Sequence, residues 1–169
     1  MVTTRSIQLG IETLREIKLF QAFTDAELSH LIEVGSIGVF EPHSNIVIEG
    51  ELSGGLYLIL EGLVGIFKSN KLSGDAYDVG QLREGSFFGE MSLVDENPRS
   101  ATVRALTDCK LFFLSKETFI GFLGQSQALK LRFYENCVNG LIVRLRHLDD
   151  NYVISQYQLW KNAIKKEAS

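Results

Sequence analysis

Apolar residues change their spacing twice along the chain, and the two changes divide it into three parts. In IETLREIKLFQAF, residues 11–23, Leu14, Ile17 and Phe20 recur at helical spacing, with Phe23 one turn further. Thr24-Asp25-Ala26-Glu27 then forms a capping box, hydroxyl first and carboxylate three later, ahead of a second helix faced by Leu28, Leu31 and Ile32. From Gly35 the pattern becomes short β-branched or aromatic runs: 37–40, 46–48, 56–60, 64–67, 77–82, 102–105 and 110–114. Glu41-Pro42-His43, Glu49-Gly50-Glu51, Ser53-Gly54-Gly55 and Glu61-Gly62 separate the early runs as turns, and residues 68–75 read as a solvated hairpin tip. Roughly eight short strands predict a β-barrel or jelly-roll, closed so that few edges stay exposed.

After the strands the period returns to that of a helix. Ser115 is placed to cap a short helix through Phe122, and Gly124 ends it. A long helix is expected from Ser126 to beyond Tyr152. Within it Leu131, Tyr134, Val138, Leu141, Leu145, Leu148 and Tyr152 follow at steps of 3, 4, 3, 4, 3 and 4. That is a heptad seam suited to a second copy of the chain, or, more plainly, to packing on the chain's own barrel. Gly140 weakens its middle by roughly 1 kcal/mol against alanine, which favours a bend there.

Composition narrows the classes. The chain has 169 residues, 45% hydrophobic and 22% charged, so a single domain with a sizeable core is expected. A net charge of −4 implies no general attraction to nucleic acid or anionic lipid, although a local basic patch is compatible with it. No apolar run has the length of a signal sequence or a membrane span. Cys109 and Cys137 fall in a strand and a helix and read as buried thiols, which fits a reducing cytoplasm.

Catalysis finds no support in the sequence. His30, His43 and His147 share no metal-ligand spacing, Cys109 has no base suggested near it, and no nucleophile elbow or P-loop is present. The chemistry gathers instead in GSFFGEMSLVDENPRSATVRA, residues 85–105. Arg99 offers a planar, permanently charged fork that matches phosphate oxygens, and Ser100 adds a hydroxyl beside it. Glu90 is suited to accept from a sugar hydroxyl, and Gly89 lets backbone come close. A helical turn between Gly89 and Pro98 would add backbone N–H groups. On composition alone two readings stay open: a sugar-phosphate pocket, or a buried Glu90–Arg99 ion pair that stabilises a loop.

FGEMSL, a variable turn, then PRSATVRA resembles the phosphate-binding cassette of cyclic nucleotide-binding domains. Such domains occur in bacterial cyclic-AMP-dependent regulators, protein kinase A regulatory subunits and gated channels. LREIKLFQAFTDAELSHL is similar to their helical lead-in, and Gly50 and Gly62 fall where the family turns its roll. The resemblance runs from about residue 12 to 148. It implies an α+β, mainly β fold: an eight-stranded β-roll or jelly-roll with N-terminal helices and a long C-terminal helix. The expected divisions are a lead-in at 1–34, the roll at 35–115 with the cassette at 85–102, hinge, lid and dimerisation helices at 116–152, and a polar tail at 153–169.

By the same resemblance Glu90 takes the ribose 2′-hydroxyl, Arg99 the cyclic phosphate, and Ser100 and Ala101 complete the phosphate arm. Gly89, Met91 and Ser92 supply backbone around the sugar. Serine after the arginine, where guanine sites prefer threonine, favours cyclic AMP over cyclic GMP; no cofactor or metal is implied. Hydroxyl residues that meet the base in bacterial regulators are replaced by Arg144-Leu145. Arginine in that region caps the purine by stacking in some channels of the family, which makes Arg144 the candidate lid, the other reading being an exposed helix arginine. Only about 20 residues follow the helix, ending in KNAIKKEAS, too few for a winged helix. The expectation is a stand-alone cytoplasmic receptor, dimeric through its long helix, acting on an effector protein and not on DNA or a membrane. The rival readings are a degenerate domain used as a nucleotide-independent scaffold and, more distantly, a barrel enzyme.

Overall fold

The computed structural model describes residues 9–167 apart from 53, 71, 72 and 96. The lead-in is shorter-stepped than its periodicity predicts. Helix α1 (Ile11–Glu16) stops where Ile17 turns extended, and a 3₁₀ turn, Lys18–Phe20, follows. The break lets Leu14, Ile17, Leu19 and Phe20 all bury, which one straight helix could not do for neighbours on different faces. Helix α2 (Asp25–Val34) starts at the expected capping box, with both reciprocal bonds between Thr24 and Glu27 made.

Eight strands follow: β1 (Ser36–Phe40), β2 (Asn45–Val47), β3 (Gly55–Glu61), β4 (Leu63–Ser69), β5 (Ala76–Arg83), β6 (Phe87–Phe88), β7 (Thr102–Ala105) and β8 (Cys109–Ser115). They form two antiparallel four-stranded sheets, ordered β1-β8-β3-β6 and β2-β7-β4-β5. Strand β6 is the one the run pattern does not show, since it is two residues long and pairs only Tyr57 with Phe88 and Leu58 with Phe87. At the β3–β4 corner Gly62 has φ +98, and a Cβ there would lie 2.4 Å from the carbonyl of Asp108. Only glycine fits that turn.

Alternation along β3 separates two cores. Leu56, Leu58 and Leu60 face a cluster with Phe112, Leu114 and the helices, while Ile59 points into the roll with Val64, Val103 and Leu111. The central strands β3 and β8 are therefore buried on both faces, which explains why they read as near-continuous apolar runs, whereas the edge strand β1 leaves Ile37 and Val39 exposed. Cys109 and Cys137 are free and buried.

Helix α3 (Met91–Val94) is a single turn, and α4 (Lys116–Leu123) is capped by Ser115, whose side chain accepts from the amide of Thr118. Helix α5 runs from Gln127 to Glu167, so the stretch expected as a polar tail is helical at least to Glu167. It docks on the domain through a stripe other than the predicted seam: Leu129, Phe133 and Cys137 are buried among residues of α1, α4 and the 3₁₀ turn. Asn136 donates to the carbonyl of Leu19, and Arg132 Nη2 to Glu27 Oε1 at 2.6 Å. The seam itself faces outward, Leu145 being 59% and Leu148 65% exposed. Tyr134 is its exception, half-buried against the domain's own core.

Candidate functional site: a buried arginine beside a roll cavity

Strand β6 delivers the chain to Gly89, whose φ of +89 turns it toward α3. Glu90 follows, 4% exposed, and after α3 the chain returns through Pro98 to Arg99, 7% exposed. The backbone of Arg99 is fixed on both sides. Its amide donates to the carbonyl of Glu51 and its carbonyl accepts from the amide of Gly50, each at 2.9 Å.

The guanidinium is fixed as firmly. Nη1 donates to Ser92 Oγ at 3.3 Å and Nη2 to the carbonyl of Gly55 at 3.1 Å. Its carbon lies 5.7 Å from the centre of the Tyr57 ring, which in turn stacks on Phe88 and packs on Phe113. Ser92 ties three segments together with one hydroxyl: it donates to the carbonyl of Gly89 and accepts from Arg99 and the amide of Gly55. Burial pulls the guanidinium's pKa below its ordinary value, against the opposing pull of Tyr57, Glu90 and Glu51. Burial likewise raises that of the Tyr57 phenol, with Arg99 opposing. A positive charge held in so dry a place is stabilised by any anion that reaches it.

A cavity of about 310 Å³ opens at this point. Every cassette residue expected at the site lines it: Gly89, Glu90, Met91, Ser92, Arg99, Ser100 and Ala101. Val47, Ile66, Phe88 and Val103 from the roll give it an apolar wall, and Asp95, Asn97 and Pro98 stand at the turn. The volume suits a small ligand with one charged and one apolar side. A family model described as the cyclic nucleotide-binding domain matches residues 38–126, which take in most of the roll and the whole cassette.

The chain belongs to that family. It is 32% identical over 111 residues to the cAMP-dependent protein kinase regulatory subunit of Yarrowia lipolytica, an alignment covering 66% of this chain and 28% of the relative. The chain thus spans under a third of that curated relative's length. The crystal structure of Thermus thermophilus catabolite activator protein superposes with a TM-score of 0.67 at 29% identity, covering 78% of this chain and 60% of the other. The regulatory domain of Toxoplasma gondii PKA, crystallised with cAMP, superposes at 0.64 and 26% identity, covering 74% and 48%.

Around the cassette of this cyclic nucleotide-binding domain stand residues that sequence reasoning missed. Lys68, at the end of β4, donates to the carbonyl of Ser100 and pairs with Glu49 Oε1 at 2.7 Å. The other oxygen of Glu49 accepts from the amide of Ser69 at 2.8 Å, while the Glu49 amide donates to Thr102 Oγ1 at 3.0 Å. The Lys68 bond, then the Ser69 amide, hold the Glu49 carboxyl at about 2, below its usual 4.5. The hairpin of β4 and β5 is thereby tied to the arm that carries Arg99. Nothing in the sequence announces this pair. Tyr57 did leave a signal: it is the one polar-tipped ring in the aliphatic run LYLIL. The side chain of Arg144, the expected lid, lies outside the described residues, as does that of His147. Among the described residues no group of three His, Cys, Asp or Glu side chains could hold a metal ion.

Proposed function

We propose that this domain is a cyclic nucleotide receptor, with cyclic AMP its favoured ligand, that passes occupancy of the cassette through α5 to a partner protein. The observation that carries the reading is that two buried groups of opposite charge, Glu90 and Arg99, both line one cavity. Arg99 is the group for the cyclic phosphate and Glu90 for the ribose 2′-hydroxyl, a charge-assisted bond in each case. Gly89, Met91 and Ser92 follow the sugar, Ser100 and Ala101 close the phosphate arm, and the aliphatic wall takes the apolar faces of the ligand. The Toxoplasma gondii domain named above was crystallised with cAMP, which supports the ligand class.

Arg144 is proposed to cap the base when α5 moves over the cavity. To shift a two-state helix from 1:99 to 99:1 the ligand needs about 5.5 kcal/mol of preference for one state. The exposed seam on α5, from Val138 through Tyr152, is proposed to pair with a second copy of the chain.

Calorimetry or thermal shift with cyclic AMP, cyclic GMP and linear AMP tests the reading. Ligand at a hundred times its dissociation constant stabilises the fold by about 2.7 kcal/mol. Arg99→Ala should abolish the shift. No shift with either cyclic nucleotide refutes the receptor and leaves the scaffold reading in its place.

A further inference from the structure

The last turns of α5 carry a pattern that neither the cassette nor the seam uses. Val153, Tyr157, Trp160 and Ile164 follow at steps of 4, 3 and 4 and are 65%, 57%, 61% and 46% exposed. In the heptad where Val138, Leu145 and Tyr152 are a positions, these four fall at b and f. Those positions lie outside the a/d seam, so a coil paired through the seam leaves them bare. The rings of Tyr157 and Trp160 lie 6.0 Å apart and widen the stripe.

Charge says what covers it. From residue 151 to its end at Glu167, α5 contains three lysines, Lys161, Lys165 and Lys166, against one acidic residue, Glu167, a net +2 in a chain whose net charge is −4. The whole-chain charge, which argues against anionic lipid, averages this segment away. Exposed aliphatic side chains, a tyrosine and tryptophan with polar tips, and lysines on one helix are the composition of a helix that lies in a bilayer interface. A bilayer also covers such a stripe without the shape complementarity a protein groove requires. We infer that residues 151–166 dock on an anionic lipid surface, with the Val153–Ile164 stripe at the headgroup boundary and the segment's positive charge attracted to lipid phosphates. The inference is independent of nucleotide binding. The acidic remainder of the chain is repelled by the same surface, which confines contact to the tip of α5 and makes it sensitive to salt.

Trp160 is the only tryptophan, so its emission reports this stripe alone. The full chain is mixed with vesicles of phosphatidylcholine, or of equal phosphatidylcholine and phosphatidylglycerol, and followed by Trp160 emission and co-sedimentation. The expected result is a blue shift and pelleting with the anionic vesicles only, reversed by salt. Reversing Lys161 and Lys165 together to glutamate should weaken binding by about tenfold or more. Ile164→Glu keeps the reporter and should abolish the shift, while thermal unfolding shows that the domain is intact. Three outcomes overturn the inference: no response to anionic vesicles, an equal response to both compositions, or emission already blue-shifted in buffer that follows protein concentration. The last would mean that a second copy covers the stripe.

Discussion

Gly89 and the guanidinium of Arg99 compete for one space: a Cβ built on Gly89 would lie 2.5 Å from Arg99 Nη1 and 2.3 Å from the carbonyl of Gly55. Both neighbours are themselves fixed, since Arg99 Nη2 donates to that same carbonyl. Gly89→Ala therefore strains the turn at φ +89, by about 1 kcal/mol, and also pushes the arginine off its seat. Cyclic AMP affinity should fall at least about tenfold with a smaller loss of stability. Calorimetry on the variant checks this, and unchanged affinity would mean that the arginine's position does not matter.

Tyr57 supports Arg99 from behind without lining the cavity. Tyr57→Leu should weaken ligand binding by roughly 0.5–2 kcal/mol through loss of the cation–π contact. Tyr57→Phe, which keeps the ring, should bind as the parent does. If both variants bind alike, the ring contributes only bulk.

Lys68 and Glu49 predict an acid-limb effect. Glu49 titrates at about 2 in the fold against an ordinary 4.5, so the pair's contribution is complete above about pH 4.5 and is lost as the pH falls toward 2. Lys68→Met removes the larger cause of that depression. The stability difference between parent and variant should be greatest near neutrality and shrink through this window, as read by denaturant unfolding at stepped pH. Curves that stay parallel down to about pH 2 would disprove the linkage.

Two faces of α5 should respond differently. Phe133, fully buried, belongs to the domain core, and Phe133→Ala should cost about 3–5 kcal/mol of stability. Leu145 and Leu148 are exposed, so the double change to glutamate should leave the domain's unfolding almost unaltered. If the seam holds a second copy, the same change converts a dimer to a monomer in sedimentation velocity; an unaltered dimer would place the contact elsewhere.

The sequence showed most of the roll because its strands are β-branched runs between glycine turns, and it showed the cassette because Glu90, Arg99 and Gly89 are rare company in one loop. Strand β6 escaped because two phenylalanines make no period. The break at Ile17 escaped because neither glycine nor proline marks it; tertiary burial of Leu19 and Phe20 imposes it. The far end of α5 read as a tail because its lysines and glutamines hide a stripe set at a different phase from the seam. The Lys68–Glu49 pair, 19 residues apart, and its reach to Ser100 depend on how two sheets close, which no local pattern records.

Among the described residues of helix α5, those buried in the domain core, Leu129, Phe133 and Cys137, lie in its first turns, and the helix continues to Glu167. At about 1.5 Å per residue, the part beyond Gly140 is an arm about 40 Å long. Such an arm multiplies small angles: a tilt of about 10° at its root sweeps the tip through about 7 Å, more than a full helical turn. If occupancy of the cavity tilts the root by that angle, Trp160, about 30 Å along the arm, moves by about 5 Å, enough to engage or release a surface.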